Sequence, residues 1–313
     1  MTPFGNDLDA LAAEFSARRG TLLATAYRLT GIRSDAEDAV QEAWLRLAGL
    51  DEDSRNEIRD LTAWLATVVG RICLDRLRSA HARREHYVGQ WLPEPLVTQL
   101  DAPKRTDPVD EIVQREDLRL AAMVILDTLT PEQRVAFVLH DALSLPFDEI
   151  AGILECSPAS ARQHASRGRK ALADADPPPR TSIEEQRQVL ERFVAAIASG
   201  DITTLTELLH PDVVLIGDAD GKARTARQVM AGQDKISRFL LGLRRMYPDE
   251  ALTAATFLLV NGDLGLYVPP RPGSAGHRRL DAHLQTMALR DGRIVAIYDQ
   301  ANPDKLGAVP PAS

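Results

Sequence analysis

Two proline-rich breaks divide this chain and limit what each part of it can fold into. WLPEPLVTQLDAPKRTDP, residues 91–108, carries Pro93, Pro95, Pro103 and Pro108, and DPPPR, residues 176–180, carries three more. Proline lacks a backbone N–H and its ring clashes with the preceding helical turn, so neither stretch is a long helix. The first reads as an extended linker and the second as a closing break. Residues 8–87 keep a helical period throughout: Leu22, Ala26 and Leu29, then Ala39, Val40, Ala43 and Leu47, then Leu61, Leu65, Val68 and Ile72 recur at three and four. The same period resumes from about Val109 to Ala175. Beyond residue 180 an opening helix, SIEEQRQVLERFVAAIASGD, gives way to β-branched and aromatic runs such as DVVLIGDADG and RIVAIYDQ, split by Gly-Asp and Asp-Gly turns. The fold expected is therefore multidomain, with two all-α domains followed by an α+β domain with a curved antiparallel sheet. Boundaries fall at 1–87, 88–108 for the linker, 109–176 and 181–308.

Within the second helical stretch, residues 146–172 read PFDEIAGILECSPASARQHASRGRKAL. Phe147, Ile150, Ala151 and Leu154 form the buried stripe of a first helix, Glu155 and Cys156 a tight turn, and Ser157 with Pro158 an N-cap and first position for a second helix. That second helix keeps Ala161, Ala165 and Leu172 for packing. Ser160, Arg162, Gln163, His164, Ser166 and Arg167 are left to face a groove, and Arg169 and Lys170 add positive charge. A helix-turn-helix of this composition suits the DNA major groove, where Gln pairs with adenine, Arg pairs with guanine and further cations neutralise phosphate. A basic solvated helix in an ordinary bundle is the bland alternative.

Charge supports a localised contact with nucleic acid. Lys and Arg number 37 against 45 Asp and Glu, a net charge of -8, so the chain is no general nucleic-acid coat and its Arg clusters stand out. One is AWLATVVGRICLDRLRSAHARRE, residues 63–85, where Arg71, Arg76, Arg78, Arg83 and Arg84 are opposed only by Asp75 before Glu85. A basic helix that also presents Trp64 has the composition for holding unpaired DNA by stacking and cation contacts, although Trp64 can equally serve the core. Ahead of it, DAEDAVQEAWLRL, residues 35–47, sets Asp35, Asp38, Gln41 and Glu42 on a face opposite Ala39, Ala43 and Leu47, an acidic ridge suited to a basic coiled-coil partner. Cys73 and Cys156 both fall in helical patterns, which argues against a disulfide framework and for a cytoplasmic setting. No signal-peptide pattern or bilayer-length apolar run is present, and no membrane partner is expected.

The order of these parts resembles regions two and four of an extracytoplasmic-function sigma factor. The acidic DAEDAVQEAWLRL helix, the AWLATVVGRICLDRLR helix, a linker and a terminal helix-turn-helix ending SRGRKAL carry that resemblance across roughly residues 8–175. The C-terminal domain resembles the SnoaL-like fold, a cone of helices against a curved sheet, and WLPEPL together with NPDKL at 302–306 is similar to the sigma subgroup with that fused domain. That subgroup tends to carry Asp-Gly-Gly-Gly-Lys, where this chain has Asp218-Ala219-Asp220-Gly221-Lys222.

The resemblance implies that Asp35, Asp38, Gln41 and Glu42 contact core RNA polymerase. It places Trp64, Arg71, Asp75, Arg78 and Arg83 near the melted minus-ten element. Ser160, Arg162, Gln163, His164, Ser166, Arg167 and Lys170 would meet the minus-thirty-five duplex, and the linker would thread the polymerase cleft. Promoter DNA, duplex and melted, is thus the second partner. No catalytic residue, cofactor or metal is expected.

For the third domain, Trp91, Leu92 and Pro93 form a preformed apolar peptide that a neighbouring domain can clasp at low entropic cost. Asp218, Lys222, Asn302, Asp304 and Lys305 are its candidate contacts, and regulation in cis would follow. A small-molecule ligand is the other option, with His210, Asp212, Asp218, Tyr267, His283 and Tyr298 as candidate polar groups. Two other function classes stay open: a one-component helix-turn-helix repressor with a ligand-sensing C-terminal domain, and a SnoaL-type enzyme tethered to DNA.

Overall fold

The computed structural model describes residues 8–84, 87–100, 118–247, 255–274 and 276–309, with 81–84 described by their helical backbone. They fall into two units. Residues up to 84 join 118 and 122–177 in the first, and residues 87–100 and 119–121 join everything described from 178 onward in the second.

The first unit is helical. Helices α1 (Leu8–Thr30), α2 (Arg33–Ala48), α3 (Glu52–Asn56) and α4 (Leu61–Arg84) form its N-terminal part, and α5 (Leu120–Asp127), α6 (Pro131–Leu143), α7 (Phe147–Leu154) and α8 (Pro158–Ala175) supply the rest. Local chemistry sets the helix starts. Asp60 Oδ1 accepts from Ala63 N at 3.0 Å to open α4. Thr130 and Gln133 exchange reciprocal caps ahead of Pro131 to open α6. Buried Ala36, Ala39, Val40, Ala43 and Leu47 line α2 as the three-and-four spacing requires, and Leu61, Leu65, Val69 and Ile72 line α4, with Val69 in the buried place expected of Val68, which is half-buried. Arg134, 1% exposed, donates to Arg28 O at 2.8 Å and pairs with Asp127 at 3.1 Å, joining α6 to the ends of α1 and α5. The N-terminal helices and the helix-turn-helix also touch: a Cβ on Gly70 would lie 2.7 Å from Leu139 Cδ1 and 3.3 Å from Ile153 Cδ1.

The second unit packs α9 (Ile183–Ser199), α10 (Ile202–Leu208) and α11 (Gln233–Arg244) on one face of a seven-stranded sheet. The strands are β1 (Val97–Thr98), β2 (Leu209–Asp218), β3 (Met230–Ala231), β4 (Thr256–Val260), β5 (Asp263–Val268), β6 (His283–Arg290) and β7 (Arg293–Gln300), in the order β1-β4-β5-β6-β7-β2-β3. The expected antiparallel pairing holds at every junction but one: β2 runs parallel to β7. Parallel neighbours need a long crossover, and the chain between β2 and β7 supplies one. Phe193, Leu190, Leu240 and Ile236 meet Leu215, Met287, Ile294 and Ile297 on the helix-covered face. Strand alternation sends Leu258, Val260 and Leu284 to the other face, where Val97 and Leu306 pack on them.

Residues 87–100 are extended, as the prolines demand, and Val97 and Thr98 pair with Val260 and Leu259 to form the edge strand. The Asn261–Gly262 turn between β4 and β5 holds this edge. Both residues take positive φ, 52° and 78°, as a tight hairpin requires. Asn261 Oδ1 accepts from Leu96 N at 3.1 Å, and Asn261 N donates to Leu96 O at 2.8 Å. Beside it Asp263, 6% exposed, pairs with Arg119 at 2.8 Å and accepts from Gln186 Nε2 at 3.1 Å. Arg119 also donates to Pro178 O, so residues just before and just after the 122–177 stretch meet at one carboxylate. The rest of the expected linker, 101–108, lies outside the described residues.

Helices α6 and α8 meet closely at Gly168, where an added Cβ would sit 2.7 Å from Phe137 Cβ and 3.3 Å from Gln133 O. Neither atom is the free end of a side chain. Gly168→Ala should therefore destabilise the first unit by about 1–3 kcal/mol despite alanine's better helix propensity. Urea unfolding followed by far-UV circular dichroism measures this, and a stabilised variant would show that the two helices separate readily.

Candidate functional site

Helix α7 buries Ile150, Ala151, Ile153 and Leu154 and ends where Glu155 takes the left-handed conformation, φ 55° and ψ 45°. Ser157 then caps α8, its Oγ accepting from Ser160 N at 3.1 Å with Pro158 next. Ala161, Ala165 and Gly168 face inward, Gly168 taking the buried place expected of Leu172. Arg162, Gln163, Ser166, Arg167, Arg169 and Lys170 are exposed, while Ser160 and His164 are half-buried. His164 follows Ala161 by three and precedes Gly168 by four, which puts it at the edge of the packed stripe, and its Nδ1 is buried without a hydrogen-bond partner. Arg162 lies over the Phe147 ring at 5.5 Å, Arg169 pairs with Asp141 at 2.8 Å, and Lys170 pairs with Asp174 at 2.7 Å.

On α2, Asp38 and Gln41 are exposed and Asp35 and Glu42 are half-buried. Arg76 of α4 reaches across to Asp35 Oδ1 at 3.1 Å and to Asp38 Oδ2 at 3.7 Å, and Arg46 pairs with Glu42. The acidic ridge is thus partly neutralised from within the same bundle. On α4, Trp64 is half-buried and Arg71, Asp75 and Arg78 are exposed; the side chain of Arg83 lies outside the described residues. Arg71 donates to Gly152 O at 3.3 Å, and Arg78 pairs with Glu132 at 3.2 Å. Both basic residues therefore turn toward the helix-turn-helix half of the same unit.

In the second unit the residues around Asp218 converge. Asp218 ends β2 fully buried. Its Oδ1 accepts from the Tyr87 hydroxyl at 2.5 Å, and its Oδ2 accepts from Leu92 N at 2.8 Å, Gln300 Nε2 at 3.3 Å and Lys305 Nζ at 2.7 Å. Lys305 Nζ also donates to Leu92 O at 2.6 Å and lies over the Trp91 ring at 4.3 Å. Asn302 Nδ2 donates to the Tyr87 hydroxyl at 2.9 Å. Burial and the adjoining Asp218 carboxylate push the Tyr87 phenol well above its ordinary range, keeping it a donor. Leu92 and Pro93 are buried and Trp91 half-buried. Lys222 sits outside this cluster, paired with Asp304 at 2.5 Å and Asp220 at 3.0 Å. Asp220 and Gly221 both take positive φ, 48° and 67°, so the left-handed turn survives here with an aspartate in place of a glycine, a residue that tolerates it.

A second polar cluster lies on the helix-covered face. Asp299 of β7, 6% exposed, accepts from Thr225 Oγ1 at 2.5 Å and Gln285 Nε2 at 3.3 Å, and its oxygens lie 3.0 and 3.1 Å from His283 Nδ1. These four residues line a cavity of about 280 Å³. Of the third-domain candidates read from the sequence, His283 alone borders it. His210 accepts from Asp212 N at 3.2 Å within an exposed stretch of β2, Asp218 and Tyr298 serve the opposite face, and Tyr267 packs with the apolar group there. Burial pushes the Tyr298 phenol up to about 12. Asp299 escaped the sequence reading, although it alternates with Ile297 toward the core face of a recognised strand.

Burial works against charge on His283, but the Asp299 carboxylate outweighs it and holds the imidazole above 6.5; Asp299, likewise buried, is held below 3.8 by His283 and its other donors. A raised histidine value contributes stability that is complete below about 6.5 and is lost as pH rises through the folded value. The lowered Asp299 value contributes stability present above 3.8 and lost on acidification. Unfolding free energy at about pH 6 should therefore exceed that at about pH 8 by more in the parent than in His283→Gln. Equal slopes in chemical denaturation would mean the pair is not ionic.

Comparison with known proteins places these parts. Residues 15–83 match Sigma-70 region 2 and residues 119–172 match Sigma-70, region 4. The ECF RNA polymerase sigma factor SigJ of Mycobacterium tuberculosis is 49% identical over 304 residues, 95% of this chain and 94% of the relative. A probable ECF RNA polymerase sigma factor, SigI, from the same species is 32% identical over 236 residues, 74% of this chain and 77% of its own. The crystal structure of the M. tuberculosis factor SigJ aligns with a TM-score of 0.77 at 47% identity, covering 94% of this chain and 98% of that one. Among the described residues no helix is long and apolar enough to cross a membrane. With α2 and α4 inside the region 2 match, the helix-turn-helix inside region 4, and the C-terminal α+β part inside the SigJ alignment, the chain belongs to the extracytoplasmic-function RNA polymerase sigma factors.

Proposed function

We propose that this sigma factor docks on core RNA polymerase through Asp35, Asp38, Gln41 and Glu42. In the same proposal it engages the minus-ten element with Trp64, Arg71, Asp75, Arg78 and Arg83. The upstream duplex is read with Ser160, Arg162, Gln163, His164, Ser166, Arg167 and Lys170. It acts in the cytoplasm and performs no chemical step of its own. The third domain modulates it in cis by holding the 87–100 segment.

What carries the proposal is the packing of the region 2 and region 4 halves in one unit, with Arg71 on Gly152 O and Gly70 against Leu139 and Ile153. Elements at minus ten and minus thirty-five are about 25 base pairs apart, on the order of 85 Å at 3.4 Å per pair. Helices in contact cannot serve both, so promoter binding requires this unit to open, and polymerase supplies the scaffold on which it opens. The 87–100 segment is under a similar constraint. A linker threaded through polymerase cannot also form an edge strand with Leu92 on Asp218, so the third domain competes with polymerase for it. The clasp residues Trp91, Leu92, Pro93, Asp218, Asn302 and Lys305, with Lys222 and Asp304 beside them, set how strongly it competes. A one-component repressor accounts for the helix-turn-helix but leaves the region 2 match without a role.

Two measurements test this. Leu92→Ala removes a side chain with no exposed surface, a loss of about 2–5 kcal/mol from the clasp. The full-length variant should be cut faster between residues 87 and 100 and should yield more promoter transcript than the parent at limiting core polymerase. Unchanged cleavage and transcription would show that the third domain does not act through this segment. Separately, Asp38→Lys with Glu42→Lys should weaken co-purification with core polymerase at least tenfold while the helical circular dichroism signal is kept; undiminished binding would move the anchor elsewhere.

A further inference from the structure

We propose that the cavity beneath α9 and α11 is a binding site for an amphipathic organic acid, its apolar body against Phe193, Leu215 and Leu240 and its carboxylate against His283. The site goes beyond the promoter reading above and does not depend on it.

The cavity's size and lining are the first argument. At about 280 Å³ it lies near the lower end of small-molecule sites, roughly 300–1,000 Å³. Empty volume in a core costs stability in proportion to its size, and the helices covering this face carry side chains large enough to close a smaller gap. Its wall is mostly apolar, with Phe193, Leu215, Phe239, Leu240, Leu266 and Val268 from helices on one side and strands on the other. A wholly polar ligand would lose its hydration there without recompense.

The polar groups are the second argument, because they gather rather than scatter. Asp299 is saturated by Thr225, His283 and Gln285, so it has no role as the ligand's own partner. It fixes the ring instead: with Nδ1 on Asp299, the remaining His283 nitrogen, Nε2, is the one available to a ligand. The adjoining carboxylate favours the protonated ring, and in that form Nε2 offers an N–H to an acceptor. Arg224 and Arg278 also border the cavity, and Asp281, the nearby acid, is engaged by Arg279 at 3.4 Å and by Arg224 N at 3.1 Å. Cations therefore outnumber the anions available at the wall, which selects a negatively charged head. One imidazole set among apolar side chains, with the arginines at exposed positions, fits one compact carboxylate on a hydrocarbon or aromatic body; a phosphate ester would carry a second charge into that wall.

Binding to the full-length chain is measured by isothermal titration with hexanoate, octanoate and 2-naphthoate, with octanamide as the uncharged partner and inorganic phosphate as the hydrophilic anion. At least one of the three acids should bind at submillimolar concentration. Octanamide should bind at least tenfold more weakly than octanoate, and phosphate not at all. His283→Gln should erase the difference between acid and amide, whereas Leu240→Trp, which fills the cavity, should abolish both. Arg278→Gln, at an exposed position, should weaken the acids without touching the His283–Asp299 pair and so guards against a folding artefact in the first variant. The proposal is overturned if none of the acids binds, if amide and acid bind alike to the parent, or if His283→Gln and Arg278→Gln both leave acid binding unchanged. None of these outcomes bears on promoter transcription, which keeps failure here distinct from failure of the proposed function.

Discussion

The buried pair of Asp218 and Lys305 is the interaction on which the second unit's arrangement depends. A carboxylate with no exposed surface is tolerated only when its oxygens are hydrogen-bonded and its charge is met, and here the Tyr87 hydroxyl, the Leu92 amide, Gln300 and the Lys305 ammonium do both. Two of those four donors belong to the 87–100 segment. Drawing that segment away strips Asp218 of half its partners and Lys305 of its acceptor on Leu92 and of the faces of Trp91 and Tyr87. The segment is therefore part of the domain's own electrostatic balance. Its release uncovers a polar cluster that water must then satisfy.

The first unit is held by different means. Its polar bridges, Arg71 to Gly152 O and Arg78 to Glu132, are exposed, and pairs of that kind are worth about 0–1 kcal/mol each. The close approach of Leu139 and Ile153 to Gly70 and the buried Arg134 link between α6 and the end of α1 are drier and stronger. Closure of the two halves is thus mainly an apolar matter. Salt should weaken those exposed polar bridges far more than it affects this packing.

Sequence periodicity revealed most of this architecture where the signals were local. The Ser157–Pro158 cap, the proline breaks and the helical stripes of α2 and α4 each depend on neighbours within a few residues, and each is found where local chemistry puts it. WLPEPL and NPDKL were visible as a pair through family resemblance, and residues 91–96 and 302–306 do meet at Asp218. Pairings between distant segments left no such trace. Alternating apolar residues give the same pattern in parallel and antiparallel strands, so the parallel junction of β2 with β7 was hidden. Nothing local marks Asp299 and Arg119, because their partners, His283 and Asp263, lie 16 and 144 residues away. Asp220 shows the limit of motif comparison: the turn needs its left-handed angle, and aspartate supplies it where two glycines are missing.

Gly217 and Asp218 are adjacent in β2 and stand opposite Asp299 and Gln300 in β7. Because side chains alternate, the carboxylates of Asp218 and Asp299 leave opposite faces of a single sheet, one toward the peptide segment and one toward the cavity. A one-residue insertion or deletion anywhere between the β2 irregularity and residue 218 would exchange those faces. It would drive Asp218 toward Asp299, where two carboxylates would compete for the same donors, and leave Lys305 facing Gly217 or Ala219. Strand β2 is accordingly constrained in its length, whereas the exposed face of α8 is free to change its residues without disturbing the buried packing.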